Sequence, residues 1–212
     1  MQIIPECQNK ECASKLIISN SARNFAGPAL SVRLAINRRL IRCGQEILEI
    51  GSGNLRNMVF ISHALDRPHL YVHENIRTIH RFEANYAAFQ KNGGHILNSF
   101  FNRKKYDVVL CTFVLETICP AARRFFYLKS IKASLKNEGI IIASFRGHSG
   151  VVGKKYKKCP KAEGVITPLH TFVKPYSIPA IKKLLFLCGI KNIVFLQKYR
   201  VEIPKNIHIV AY

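Results

Sequence analysis

The apolar positions of this chain fall into short continuous runs separated by stretches of helical spacing, a rhythm that predicts alternating strands and helices. Pro28 suits the first turn of a helix, and Leu30, Leu34, Ile36, Leu40 and Ile41 supply its apolar contacts before Gly44 ends the segment. Glu46–Ile50 reads as a first strand, followed by a helix that opens with Met58, Val59, Phe60 and Ile61. A second strand is expected at His69–His73, just after Pro68. Ile76, Ile79, Phe82, Tyr86 and Phe89 then recur at near-helical spacing until Asn92, Gly93 and Gly94 stop the helix. His95–Leu97 is a short third strand, and residues 107–112 form an apolar run suited to a strand buried on both faces. A helix over 121–135 and a fifth strand at 140–144 complete this part.

After residue 146 the rhythm breaks, and a basic, glycine-containing segment runs to about Tyr176. Ser177 caps a helix that Gly189 ends. Two last strands, at 193–197 and 207–212, flank Pro204 and read as a terminal hairpin. Strand and helix in alternation predict an α/β fold with a mostly parallel sheet covered on both sides. Residues 1–44 are expected to form a helical extension, of which 1–27 are hard to assign, and residues 45–212 the main domain.

The most informative stretch lies where the first strand ends. Glu49 and Ile50 lead into Gly51, Ser52, Gly53 and Asn54, and a helix follows. Strand, turn and helix in that order put backbone N–H groups beside whatever ligand sits at the strand's carboxyl end. Two glycines one residue apart let the backbone approach it without a Cβ in the way. A dinucleotide fingerprint would need a third glycine at position 56, which is arginine here. The plainer alternative is a tight connection and nothing more. If the turn holds a nucleoside, an acid should end the second strand and grip the ribose, about 20 residues on. Glu74 stands 21 residues after Gly53, and a carboxylate there can accept from both ribose hydroxyls.

The pattern resembles motif I of class I S-adenosylmethionine-dependent methyltransferases, in which an acid precedes a Gly-x-Gly turn. Asn54, Arg56 and Asn57 extend the similarity, while Leu55 stands where the motif has its third glycine. Further along, Asn98 and Ser99 fall where the family places an acid and a small residue beside the adenine. The run Tyr106 to Thr112 is similar to the family's fourth strand, Phe113 to Glu116 to its following loop, and Leu135 to Gly139 to its Leu-Lys-Pro-Gly-Gly turn. The resemblance implies a Rossmann-like, doubly wound, mostly parallel seven-stranded sheet with a reversed C-terminal strand. It also implies S-adenosylmethionine as cofactor, lying over Glu49, Ile50, Gly51, Ser52, Gly53 and Asn54. Glu74 and Asn75 would stand at the ribose, Asn98 and Ser99 at the adenine, and Thr112 at the end of the fourth strand.

Methyl transfer from a sulfonium can proceed largely by in-line positioning, so no conspicuous catalytic residue is required. Glu116 is the best-placed base, and Arg146, ending the fifth strand, can orient an anionic acceptor. His170 and Tyr176 flank the late segment and would reach the site if that segment folds over it. Amino-methylating DNA enzymes of the family carry an Asp/Asn-Pro-Pro-Tyr/Phe loop after the fourth strand. This chain has Cys111, Thr112, Phe113 and Val114 there, so that chemistry is disfavoured. Cys119 and Cys159 are poorly placed as thiolate nucleophiles.

Charge narrows the choice of acceptor. Over 212 residues the chain holds 33 Lys and Arg against 12 Asp and Glu, a net charge of +21. Such an excess attracts polyanions, nucleic acid foremost. Lys154, Lys155, Lys157, Lys158 and Lys161, with Tyr156 among them, form the densest basic cluster and are the expected nucleic-acid contacts. Seven scattered cysteines, never in Cys-x-x-Cys spacing, argue against a structural metal site or a disulfide framework. No apolar run approaches the ~20 residues of a bilayer span, and no membrane partner is expected. The start lacks the marks of a signal peptide, so a cytoplasmic location is the expectation. Three readings stay open: a methyltransferase acting on nucleic acid, an inactive nucleic-acid-binding relative, and a small-molecule methyltransferase.

Overall fold

The computed structural model describes residues 27–99, 104–119, 121–151, 157–159, 163–167, 171–197 and 205–212. Its helices are α1 (Leu30–Asn37), α2 (Arg56–Ala64), α3 (Ile76–Arg81), α4 (Glu83–Lys91), α5 (Ala121–Ala133) and α6 (Ile178–Leu187). Its strands are β1 (Glu46–Ile50), β2 (His69–His73), β3 (His95–Leu97), β4 (Tyr106–Thr112), β5 (Leu135–Arg146), β6 (Lys157–Lys158), β7 (Val165–Ile166), β8 (Phe172–Val173), β9 (Ile193–Phe195) and β10 (Asn206–Ala211). Seven of them form one sheet in the order β3-β2-β1-β4-β5-β10-β9. β1 pairs in parallel with β2 and β4, and β4 with β5, whereas β10 is antiparallel to both of its neighbours. The reversed strand expected from the sequence is therefore β10.

Successive residues of the central strands point to opposite faces. Leu48, Val109, Ile141 and Ile209 face one core with Leu128 of α5 and Ile181 and Leu185 of α6. Ile47, Val108, Ile142 and Val210 face the other with Val32, Met58, Tyr86 and Phe89. Both faces are covered, which explains why these strands are apolar without interruption.

Three differences from the sequence reading have local causes. The helix expected from Ile76 to Phe89 is two helices, because Phe82 at φ −119° and ψ 33° leaves helical geometry between them. β5 begins at Leu135, so the stretch expected to turn at Leu135 to Gly139 belongs to the strand. Its register against β4 shifts between Tyr106 and Val108, and a Cβ at Gly139 would stand 2.9 Å from the Tyr106 carbonyl. Val32 and Ala35 of α1, and Ile41 after it, share the core of Ile47 and Leu55. The late segment builds a small antiparallel sheet, β6-β7-β8, that the sequence pattern did not announce. Two-residue strands carry no readable period.

Candidate active site at the carboxyl edge of the sheet

β1 connects toward β2 on one side, while β4 and β5 lie on the other, so the order reverses between β1 and β4. Crevices at such a reversal, outside the carboxyl ends of the strands, are where open α/β sheets bind ligands. The turn after β1 and the loop after β4 meet there.

The turn is built by alternating backbone handedness. Gly51, Gly53 and Leu55 have φ of 69°, 57° and 66°. A Cβ at Gly51 would lie 2.5 Å from Cγ2 of Val114 in the β4 loop, so only glycine fits. The Gly51 N–H donates to the His73 carbonyl at 2.8 Å, and the Leu55 N–H to that of Ser52 at 2.9 Å. Leu55 adopts the conformation suited to glycine and buries its side chain fully in the core with Ile47 and Met58. It therefore points away from the turn and does not plug it. Tyr86 braces the turn from α4: its hydroxyl donates to the Gly53 carbonyl at 2.9 Å, leaving Ser52 Oγ to donate to it at the same distance.

Glu74 closes the other side. Its Oε2 accepts from the Gly53 N–H, and its Oε1 from both the N–H and Nδ2 of Asn75, all at 2.8 Å. Oε1 is thereby filled, while Oε2 keeps one acceptor site for an incoming hydroxyl. Burial raises the Glu74 carboxyl above the usual range, and its three donors oppose that rise. The Asn75 side chain is engaged as the cap of α3, accepting from the Thr78 N–H at 2.9 Å. Asn98 and Ser99 follow β3 and are exposed at this edge.

Asn57, in the first turn of α2, joins the parts. Its Nδ2 donates to Glu49 Oε1 at 2.5 Å and to Thr112 Oγ1 at 3.1 Å, and its Oδ1 accepts from the Ala29 N–H at 2.7 Å. The sequence marked Asn57 only as part of a motif; it is the hub between β1, β4 and the start of α1. Glu49 is buried, and its Oε2 has no partner among the described residues. Desolvation pushes its carboxyl up to about 8, against the Asn57 hydrogen bond and Arg56. Ile50 is buried in the core, so only its backbone faces the turn.

On the far side of the crevice lie Glu116, Arg146 and Tyr176. Glu116 is 1% exposed, its Oε2 lacks a partner among the described residues, and desolvation lifts it to about 8 although the nearby Arg146 charge opposes the rise. Contact with an acceptor therefore needs the β4 loop to move. The Tyr176 hydroxyl is likewise buried, with no partner among the described residues. The small sheet folds onto this region: the Lys174 N–H donates to the Glu116 carbonyl at 2.7 Å, and the Tyr176 N–H to that of Arg146 at 2.9 Å. Phe113, at φ 59°, turns its ring edge-on to His208. Ser31, Ser144 and His208 form a buried relay, with 2.7 Å between the serine hydroxyls and 2.9 Å from Ser144 Oγ to Nδ1. Burial lowers His208 to about 4, so it is neutral.

Lys157 and Lys158 are exposed on β6. Lys154, Lys155, Tyr156, Lys161 and His170 lie outside the described residues. Among the described residues no cluster of His, Cys, Asp and Glu suits a metal ion, and no helix is long and apolar enough to cross a membrane.

No family model and no curated protein matches the chain. Solved structures do. The CcbJ methyltransferase from Streptomyces caelestis superposes with a TM-score of 0.64 at 15% identity, over 88% of this chain and 90% of that one. An S-adenosylmethionine-dependent methyltransferase from Clostridium acetobutylicum gives 0.61 at 12%, over 85% and 87%. The Burkholderia thailandensis 1,6-didemethyltoxoflavin-N1-methyltransferase, solved with 1,6-didemethyltoxoflavin and S-adenosylhomocysteine, gives 0.61 at 14%, over 86% and 77%. This chain has the fold of class I S-adenosylmethionine-dependent methyltransferases.

Proposed function

We propose that the protein transfers a methyl group from S-adenosylmethionine to a nucleic acid. The observation that carries the cofactor reading is Glu74 Oε2, held 2.8 Å from the Gly53 N–H with an acceptor site to spare beside a turn that admits no side chain at Gly51.

The residues present fit the cofactor. Glu74 would take a ribose hydroxyl on Oε2; a second on Oε1 requires Asn75 Nδ2 to give way. Exposed Asn98 and Ser99 offer polar groups to an adenine edge. The buried Oε2 of Glu49 lacks a partner among the described residues, and a cation placed beside the turn would favour ionisation of that carboxyl. The cofactor, when bound, supplies an electrophilic methyl group on a sulfonium. The chain's part is then to align an acceptor, exclude water and take up the proton that its heteroatom loses. Glu116, once a movement of the β4 loop exposes it and in its ionised form, takes that proton, and Arg146 beside it orients an anionic acceptor.

Charge supports the choice of acceptor, since a net +21 favours a polyanion over a small neutral metabolite. A second reading, a small-molecule methyltransferase, is favoured by the small sheet that narrows the acceptor side. It is also favoured by the Burkholderia relative's heterocyclic ligand. The two separate on incubation with methyl-labelled S-adenosylmethionine and total cellular RNA, total DNA or a nucleic-acid-free metabolite extract. Label in acid-precipitable, nuclease-sensitive material is the expected result. Label only in the metabolite extract would transfer the assignment to the second reading. Cofactor binding with no transfer to any of the three would favour an inactive binding protein on this fold.

A further inference from the structure

Helices α5 and α6 lie side by side on one face of the sheet, joined where Lys132 Nζ donates to the Gly189 carbonyl at 2.6 Å and where Cys188 lies against Phe125. Neither helix carries a carboxylate, and none occurs anywhere in 121–137 or 177–197. Lys129 and Lys132 on α5, and Lys182 and Lys183 on α6, are exposed, and Lys191 follows in the next connection. Two of these cations are held against rings, Lys129 over Phe125 at 4.6 Å and Lys182 over Phe195 at 5.7 Å. The same two helices carry large apolar side chains open to solvent: Phe126 at 50%, Phe186 at 67% and Leu187 at 57% exposure.

Glu163 interacts with Lys183 but is already paired with Lys174. Cations that far outnumber the acids near them, with aromatic faces among them, are the ingredients of a surface that binds single strands. The lysines contact phosphates, and the rings offer platforms on which bases stack regardless of sequence. A second copy of the chain is disfavoured, because both surfaces would be positive. A bilayer asks for one continuous apolar face. Here Phe126 sits in the first half of α5 and Phe186 near the end of α6, with lysines around each.

We infer that the outer face of α5 and α6 is a track for single-stranded nucleic acid, leading toward the carboxyl edge of the sheet. Both helices precede strands parallel to β1 or β5, so both start at that edge. At ~1.5 Å per residue α6 is about 15 Å long, room for about four stacked nucleotides at ~3.4 Å each. This inference deepens the nucleic-acid reading above and rests on it for the direction of the track, but binding itself needs no cofactor.

The test is fluorescence anisotropy of labelled oligouridine and oligothymidine with the full-length protein at rising KCl. Wild type is expected to bind both, with affinity falling steeply as salt rises. Lys182→Ala/Lys183→Ala should weaken binding and lower the slope of log affinity against log salt by about 1.4, two phosphates at ~0.7 each. Phe186→Ala should weaken binding roughly tenfold with the slope unchanged. All three proteins should bind S-adenosylhomocysteine alike, which separates failure of the track from failure of the enzymatic reading. Absence of oligonucleotide binding, or binding untouched by either variant, overturns the inference. So does tighter association with phosphatidylglycerol vesicles that the same substitutions abolish.

Discussion

The backbone N–H of Gly53 and Oε2 of Glu74 meet at 2.8 Å, joining the turn after β1 to the end of β2 across 21 residues of sequence. That bond fixes the acid against the glycine turn before any ligand arrives. A carboxylate already oriented by a backbone donor loses little freedom when a hydroxyl approaches it, which is how preorganisation raises affinity.

Leu55 offers a direct check on the turn. Its left-handed backbone costs about 1 kcal/mol relative to glycine, while its side chain fills the core. Truncating a buried leucine costs about 2–5 kcal/mol, so burial outweighs strain. Leu55→Gly should lower unfolding stability in urea by about 1–4 kcal/mol and leave S-adenosylhomocysteine affinity unchanged. A gain in stability would mean that the side chain is not packed as described.

Glu49 predicts proton release. With its carboxyl at about 8 in the free protein, most Glu49 is protonated at pH 7, and a sulfonium beside it would favour the ionised form. Binding of S-adenosylmethionine should therefore release protons near pH 7 and tighten as pH rises toward 8. Calorimetry in buffers of different ionisation enthalpy reads the release, which Glu49→Gln should eliminate. The neutral thioether S-adenosylhomocysteine should release fewer.

Glu116 predicts a pH dependence of stability. Its folded carboxyl sits near 8, whereas an unfolded chain would have it near 4.5. The folded state thus holds more protons between those values, and its stability falls as pH rises through that window. Glu116→Gln cannot ionise, so its melting temperature should exceed that of wild type at pH 9, and the gap should close as pH falls below about 4.5. His208, lowered to about 4, acts in the opposite sense: its contribution is complete above pH 6.5 and lost as pH falls through 4. Equal melting temperatures for wild type and variant at pH 9 would show that Glu116 is not desolvated.

Much of this architecture was legible because periodicity and punctuation agreed. Uninterrupted apolar runs such as Val108 to Cys111 require cover on both faces, and Gly189 at φ 76° ends α6 where the pattern stops. Strand-end spacing alone put Glu74 beside the turn, though not its bond to the Gly53 N–H. What sequence could not give were contacts made by single side chains across long separations. Tyr86 read as one apolar position on a helix, yet its hydroxyl secures Ser52 and Gly53. Asn57 binding Ala29, Glu49 and Thr112 leaves no periodic trace either. The relay from Ser31 through Ser144 to His208 draws on three elements far apart in the chain. The break at Phe82 is a tertiary choice inside a pattern helical throughout.

The most direct measurement of the central claim is isothermal titration of S-adenosylhomocysteine into the full-length protein and its Glu74→Gln variant. The account predicts one saturable site on wild type and affinity at least tenfold weaker on the variant, with both proteins melting cooperatively. No heat of binding on wild type, or equal affinity for the two proteins, would contradict it.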